Sequence, residues 1–420
     1  MCRRKIKPSS LSKGIMLMII FAVMLQFETS DALATYYYIR KSATGSNNGT
    51  SWANAWNEMN QVNSNGLSAG DTVFIAGGNY SKSLTISKGG SSDTNRIVFK
   101  RATVSEHGSD TGWNSNYDSK VSIIDNNSAN VISINAPYVT IDGVTRYGIY
   151  LRGGIYFTVN GSAYTTYRYI EFDGTGDVSE DSMLNDSGDN NFLMEYCYLH
   201  DYDNAVRHGD TWSSYGGSNC TLRYNVFVNG GQYISMDRMG PNLNIYGNLF
   251  YNTAGSNGYN GIVANSVSAP VNIYNNTFDS GSASNNGYHQ VIYVVNGNYS
   301  GINFKNNAIR RANAGGIGSC GSHNNNAYES GTTWNYPSEN GRVVSNNLGF
   351  VNTSNYDYHI QSSSPLINGG ASVNLPHDFD RVSISNAPDI GAYEYKSSAS
   401  TSAASSTSPS PPTQLRVLSN

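Results

Sequence analysis

Five short segments in the second half of the chain share one form, an asparagine followed two positions later by an aromatic or aliphatic residue: Asn225-Val226-Phe227, Asn248-Leu249-Phe250, Asn276-Thr277-Phe278, Asn307-Ala308-Ile309 and Asn326-Ala327-Tyr328. Successive asparagines lie 23, 28, 31 and 19 residues apart. Such uneven spacing suits a fixed strand unit with loops of different length and suits a helical repeat poorly. Before most of these asparagines runs an alternating segment, as in Leu243-Asn244-Ile245-Tyr246 and Val271-Asn272-Ile273-Tyr274. A period of two belongs to strands. The chain is therefore expected to be all-β, a single-stranded solenoid whose turns stack about 4.8 Å apart. At that spacing an inward asparagine can pass amide hydrogen bonds to its equivalents above and below, and the phenylalanines can form a parallel apolar stack. These residues are read as scaffold and assigned no chemistry.

The chain opens with five basic residues, Arg3, Arg4, Lys5, Lys7 and Lys13, then the apolar run from Ile15 to Phe27 and the small-residue triplet Ala32-Leu33-Ala34. That order reads as an export signal over residues 1–34. Outside it, no stretch approaches the roughly 20 apolar residues of a membrane span. The expectation is a secreted or cell-surface monomer without a transmembrane segment. The full chain carries 26 basic and 30 acidic residues; removing the five basic residues with Glu28 and Asp31 leaves 21 against 28, a charge of −7. Such a balance disfavours nucleic acid as a partner. Outside the leader stand Cys197, Cys220 and Cys320, without metal-ligand spacing. They read as small buried residues, two of which could form one disulfide.

Ser51 to Val62 places Trp52, Trp56, Met59 and Val62 on one helical face, so a short amphipathic helix is expected there, capping the apolar end of the coil. Gly70 to Tyr80 and Arg96 to Lys100 read as early strands, and rungs follow at Tyr138–Gly143 and Tyr167–Gly174. Residues 35–395 form the expected solenoid domain. From 396 to 420 the sequence becomes a Ser/Thr/Pro-rich linker and tail that cannot bury a core.

Tyr37-Tyr38-Ile39-Arg40, Gly49-Thr50-Ser51-Trp52, Gly70-Asp71-Thr72-Val73 and Gly77-Gly78-Asn79-Tyr80 resemble the opening of secreted bacterial right-handed parallel β-helix proteins of the pectate-lyase-like superfamily. Ser364-Pro365-Leu366-Ile367-Asn368-Gly369-Gly370, Asp378-Phe379-Asp380-Arg381 and Pro388-Asp389-Ile390-Gly391-Ala392-Tyr393-Glu394-Tyr395 are similar to a closing segment of the choice-of-anchor Q type. The resemblance implies a right-handed coil and a polysaccharide or glycan as partner. It leaves lyase, hydrolase and binding protein open, because fold does not fix function. The polygalacturonase pattern of Asn-x-Asp, Asp-Asp and Arg-x-Lys is absent, as is the Asp-Pro-His of mannuronan epimerases.

The densest polar run is His200 to Asp210, followed by Ser235-Met236-Asp237-Arg238. Aligning Tyr196 with Tyr224 sets Val206 on Ile234, His208 on Met236 and Asp210 on Arg238, with Arg207 diagonal to Asp237. Arg207, His208, Asp210, Asp237 and Arg238 then form a candidate catalytic face that could take a proton beside a uronate carboxylate and stabilise the developing charge. Asp201, Asp203, Trp212 and Tyr215 are the candidate substrate contacts, the rings by stacking on sugars. The same charges could equally be cross-rung ion pairs. Asp142 and Asp173 are expected to stack on His200, which keeps a paired-carboxylate hydrolase as a rival. The acidic stretch from Asp173 to Asp189 reads as a loop able to hold Ca²⁺, although it lacks the alternate-acid spacing of a calcium loop. No cofactor is otherwise implied. The favoured reading is a polysaccharide lyase acting on a uronate-containing chain; the alternative is a non-catalytic glycan-binding protein of the cell surface or matrix.

Overall fold

A computed structural model describes residues 34–396 except 127–129, 154–155, 160–162, 176–181, 203–208, 253–259, 281–289, 331–337 and 385–386. The expected leader and tail lie outside these residues, apart from Ala34 and Lys396.

Successive turns of the chain lay their strands in three parallel sheets, here A, B and C in the order the chain meets them. Sheets A and B have 11 strands each and sheet C has 8. The fold is a right-handed parallel β-helix, as the repeats and the resemblance led one to expect. Pairing in sheet A runs in strict register, with Leu243 beside Val271 and Val271 beside Ile302, then Ile245 beside Ile273 and Ile273 beside Phe304. Strand alternation sends these residues inward, where all are buried. In sheet B, Phe227, Phe250 and Phe278 stack with ring centroids 4.8 and 4.7 Å apart.

The corner between sheets A and B explains the repeated asparagine. The residue before it adopts a left-handed conformation, at Tyr224, Gly247, Asn275, Asn306 and Asn325. That conformation lets the chain turn within two residues and suits Gly and Asn. The asparagine then points inward. Asn248 Oδ1 accepts from the backbone N–H and side-chain amide of Asn225, at 2.9 and 3.1 Å. Its own amide donates to Leu222 O at 2.9 Å and to Asn276 Oδ1 at 3.0 Å. The same exchange continues through Asn276, Asn307 and Asn326. Glu339 ends the ladder by accepting from the backbone N–H and amide of Asn326 at 2.9 and 3.1 Å.

The expected helix at Ser51–Val62 does not form. The segment is a run of bends ending in a 3-10 turn, Met59–Gln61. Its small polar residues compete for the backbone: Ser51 Oγ accepts from Asn54 N, while Asn47 Oδ1 and Gln61 Oε1 accept from Asn57 N. Such local bonds displace a helix ladder. The apolar side chains nevertheless bury as anticipated, with Met59 and Trp56 in the coil's core and Trp52 in a cluster with Phe74. All three described cysteines are free and buried, so the disulfide is not formed.

The segment resembling a choice-of-anchor ending folds back as a strap along the A–B corner and the outer face of sheet B. An antiparallel hairpin, Phe350–Asn352 and Asp357–Ile360, precedes that segment and forms the strap with it. Further on it receives hydrogen bonds from Asn325 at Gly369 O, Asn306 at Ala371 O, Tyr224 at His377 O and Arg146 at Phe379 O. Its apolar residues Phe350, Tyr358, Phe379 and Tyr393 share a core with Tyr198, Val226, Leu249 and Tyr251 of sheet B. The acidic motif residues are internal acceptors: Asp378 takes the N–H groups of Asp380, Val382 and Glu394, and Asp389 takes those of Asn368 and Tyr395.

Candidate functional site

The anticipated register carries through sheet B, where Tyr198 faces Val226 and His200 faces Val228. It fails in sheet C. Ile234 faces Trp212, and Asp210 faces Gln232 and not Arg238. The connection after His200 is longer than the one after Val228, so every later residue is displaced by six positions from the anticipated partner. Asp210 therefore opens a sheet C strand while Asp237 closes the next one. Five residues of register separate them, roughly 16 Å along extended chain. Asp237 pairs with its own neighbour Arg238 at 3.0 Å, and the Arg238 side chain is 71% exposed. Arg207, His208 and Asp203 lie outside the described residues.

Trp212 is fully buried and stacks on Phe192 inside the coil, so it cannot serve as a sugar platform. Tyr215, three residues on, is exposed. Asp142 belongs to sheet A beside Arg168, on a different face from Asp173 and His200, which do pair in sheet B. The acidic stretch is not a loop to its end, since Ser182–Asp186 is a strand. Asp186 and Asp189 are buried, and burial pushes their carboxyls up to about 8 and about 7. Asp186 accepts from the N–H groups of Gly188 and Asp189 and from Ser214 Oγ. Such groups do not present carboxylates to a surface Ca²⁺. Asp177, Glu180 and Asp181 lie outside the described residues.

Among the described residues, a titratable cluster gathers on the outer face of sheet B. Alternation turns Tyr150 and Arg152 outward on one rung, Glu171 and Asp173 on the next, and Tyr198 and His200 on the third, paired in register. Asp201 follows in the left-handed conformation, with φ of 57°. His200 sits at the centre: Nδ1 lies 2.8 Å from Asp201 Oδ2 and Nε2 lies 3.3 Å from Glu171 Oε1, with the ring stacked on Tyr198 at 4.3 Å. Lys120 Nζ donates to Glu171 Oε2 at 2.5 Å, and Tyr150 OH to Asp173 Oδ2 at 2.5 Å. Arg152 Nε stands 3.9 Å from Asp173 Oδ2. Lys120 and Arg152 form the open rim, with side chains 47% and 41% exposed.

Burial opposes a charge on His200, but the bonds to Asp201 and Glu171 and the nearby Asp173 outweigh it and push its pKa up to about 9. Burial likewise opposes charge on the three carboxylates. Hydrogen bonds from His200 and Lys120 hold Glu171 below the ordinary range; Thr175 and Tyr150 do so for Asp173, and His200 and Asn229 for Asp201. Burial, reinforced by Asp173, raises the Tyr150 phenol. At neutral pH the centre is thus a buried imidazolium among three carboxylates, with solvent meeting the cluster at the lysine and arginine of its rim. The arrangement can hold an anionic or hydroxyl-rich ligand at the rim and exchange a proton through Tyr150 and Asp173.

Of this cluster the sequence had exposed Asp173, His200 and Asp201. Lys120, Tyr150, Arg152 and Glu171 carry no local sequence signal, because they lie 29 to 80 residues before His200. The signal available was the alternation itself: Ile149-Tyr150-Leu151-Arg152, Ile170-Glu171-Phe172-Asp173 and Cys197-Tyr198-Leu199-His200 align as three outward polar pairs.

No protein-family model matches this sequence, and no curated protein sequence matches it. Among solved structures, the crystal structure of pectate lyase Pel9A is similar with a TM-score of 0.50 and 15% identity, over 87% of this chain and 98% of that one. A rhamnogalacturonan lyase gives a TM-score of 0.28 and 12% identity over 81% and 96%. The likeness to Pel9A is one of fold.

Proposed function

We propose that this is an exported carbohydrate-active protein, and that it acts as a polysaccharide lyase on a uronate-containing chain at the outer face of sheet B. The supporting observation is the His200 cluster: an imidazolium, a lysine and an arginine set among three carboxylates and a phenol on successive rungs. Elimination beside a uronate carboxylate needs the substrate charge neutralised, one proton taken from carbon, and the glycosidic carbon–oxygen bond broken as the double bond forms, with the departing oxygen taking a proton from solvent. Lys120, Arg152 and the His200 centre supply positive charge at the opening. Asp173, bonded to Tyr150, is the group placed to receive a proton through the phenol. A retaining hydrolase with paired carboxylates is disfavoured, since it needs one carboxyl held protonated and Glu171, Asp173 and Asp201 are all held below the ordinary range.

One observation favours a second reading, glycan binding without chemistry: each of these carboxylates already has a side-chain partner within the cluster. The two readings separate by product. Pectic, alginate-type and glycosaminoglycan chains are incubated with the protein, with and without Ca²⁺, and followed for the ultraviolet absorbance of a new carbon–carbon double bond. The lyase reading expects product, lowered at least about a hundredfold in Tyr150→Phe and His200→Gln with little change in melting temperature. His208→Ala and Arg238→Ala test the face first expected from sequence. Product that survives Tyr150→Phe and His200→Gln but not those two would move the site there. Retention on a glycan gel with no product would favour the binding protein.

A further inference from the structure

We propose that Asp173, His200 and Asp201 form a binding site for a divalent first-row transition cation, with His200 Nδ1 as its nitrogen ligand. One ligand atom from each lies within 4.8 Å of the others. Two atoms bound to one metal at about 2.0–2.2 Å stand roughly 3.4 Å apart in a tetrahedral arrangement, so small side-chain rotations close the set. Proximity is the weaker half of the argument. The stronger half is what holds each ligand from behind.

A metal-bound imidazole commonly donates its other N–H to a carboxylate, and ligating carboxylates are themselves hydrogen-bonded. All three proposed ligands are held in this way. His200 Nε2 faces Glu171 Oε1, which leaves Nδ1 directed at Asp201 Oδ2, and Lys120 fixes Glu171 through its other oxygen. Asp201 Oδ1 accepts from Asn229 Nδ2 at 2.8 Å, leaving Oδ2 on the His200 side. Asp173 is held by Tyr150 OH at Oδ2 and by Thr175 N at Oδ1. The left-handed backbone at Asp201 is what brings its carboxylate beside the preceding histidine. One nitrogen with two carboxylate oxygens suits Mn²⁺ or Zn²⁺ better than Ca²⁺, which takes six to eight oxygens. The cation would take the place of the proton on Nδ1, setting two positive charges where one stands among the same three carboxylates.

The inference deepens the lyase reading and rests on it only for its location on the same face; binding and catalysis are read separately. The full chain, stripped with a chelator, is titrated with Mn²⁺ and free ion is followed by its electron paramagnetic resonance signal, with Zn²⁺ as competitor and Ca²⁺ in parallel. One equivalent should bind, Zn²⁺ should displace it, and the melting temperature should rise with loading. Asp201→Asn and His200→Gln should weaken binding at least about tenfold. Asn229→Ala and Glu171→Gln, which spare every ligand atom, should weaken it about 10- to 100-fold and keep the test valid if a ligand variant fails to fold. No stoichiometric binding, equal binding by all variants, or Ca²⁺ bound as tightly as Mn²⁺ would each overturn the assignment. Mn²⁺ binding without ultraviolet product would keep the metal site and remove the lyase reading; product without Mn²⁺ binding would do the reverse.

Discussion

The buried asparagines show how much one side chain can fix in a parallel coil. Asn248 has both amide hydrogens and its carbonyl engaged, with partners on the rungs on either side. Replacing it with Ala leaves the backbone N–H of Asn225 without its acceptor, takes from the Asn225 amide one of its two acceptors, and removes one donor each from Leu222 O and Asn276 Oδ1. The expected cost of Asn248→Ala is about 1–3 kcal/mol, against a few tenths for the exposed Asn60→Ala, measured by denaturant unfolding. Equal small losses would show that the ladder does not stabilise the coil. These residues were legible in sequence because a ladder demands the same residue at each turn, whatever the loop between. The His200 cluster has no such constraint: its members differ in type from rung to rung, and only the alternation reveals that they share a face. Trp212 marks the opposite failure. Its place in a polar run suggested a surface platform, but register with Ile234 puts it in the core.

At the scale of elements, the regular strands followed from their period while the irregular pieces did not. Ser51–Val62 has helical spacing of apolar residues, yet its serines and asparagines bond locally and the segment bends. The register slip in sheet C arose in a connection, where no periodicity counts residues. The strap was recognisable as a segment, and its motif acids prove to be its own hydrogen-bond hubs. That gives it a pH dependence with a definite sign. Burial pushes Asp378 up to about 6 and Glu394 up to about 7. His359, placed between Asp380 and Asp357, is raised despite burial by the hydrogen bonds it donates to both. For each of these groups the folded state binds the proton more tightly, so stability present at lower pH is lost as pH rises through the folded pKa. Asp380 works the other way. Burial opposes its charge, but His359, Lys396 and Arg146 hold it down at about 2, so its contribution is full above the ordinary carboxylate range and lost as pH falls toward 2. The strap should therefore be firmest near about pH 4–5 and weaker at pH 8. Thermal melts across that range should show it. Asp380→Asn, which deprives His359, Lys396 and Arg146 of a shared carboxylate, should cost about 1.5–3 kcal/mol at pH 5.

Over the whole molecule, the strap changes how a solenoid can come apart. A coil of stacked rungs is held by neighbour contacts, so in principle it can open from either end. Here the strap reaches from Asn325 to Arg146, touching rungs that are far apart in the stack. Asp279 adds a cross-tie, accepting at one carboxylate from Arg310, Arg311 and the strap's Tyr358. Those rungs should open together. The strands from Tyr36 to Ile124 lie upstream of that span and bear the bent, tryptophan-lined end segment. Amide hydrogen exchange should then resolve two opening energies: a cooperative unit from about Val139 to Tyr328, and an earlier-opening unit before it. Asp380→Asn or Tyr393→Ala should lower protection throughout the first unit while leaving Val73 and Phe99 unchanged. Were protection to fall only in the rungs touching the substituted residue, the strap would be a passive cover, and the coil would unfold rung by rung. The lyase proposal is tied to this result, because Tyr150, Glu171, Asp173 and His200 all stand within the strapped span, and loosening it should disturb their alignment before the coil itself is lost.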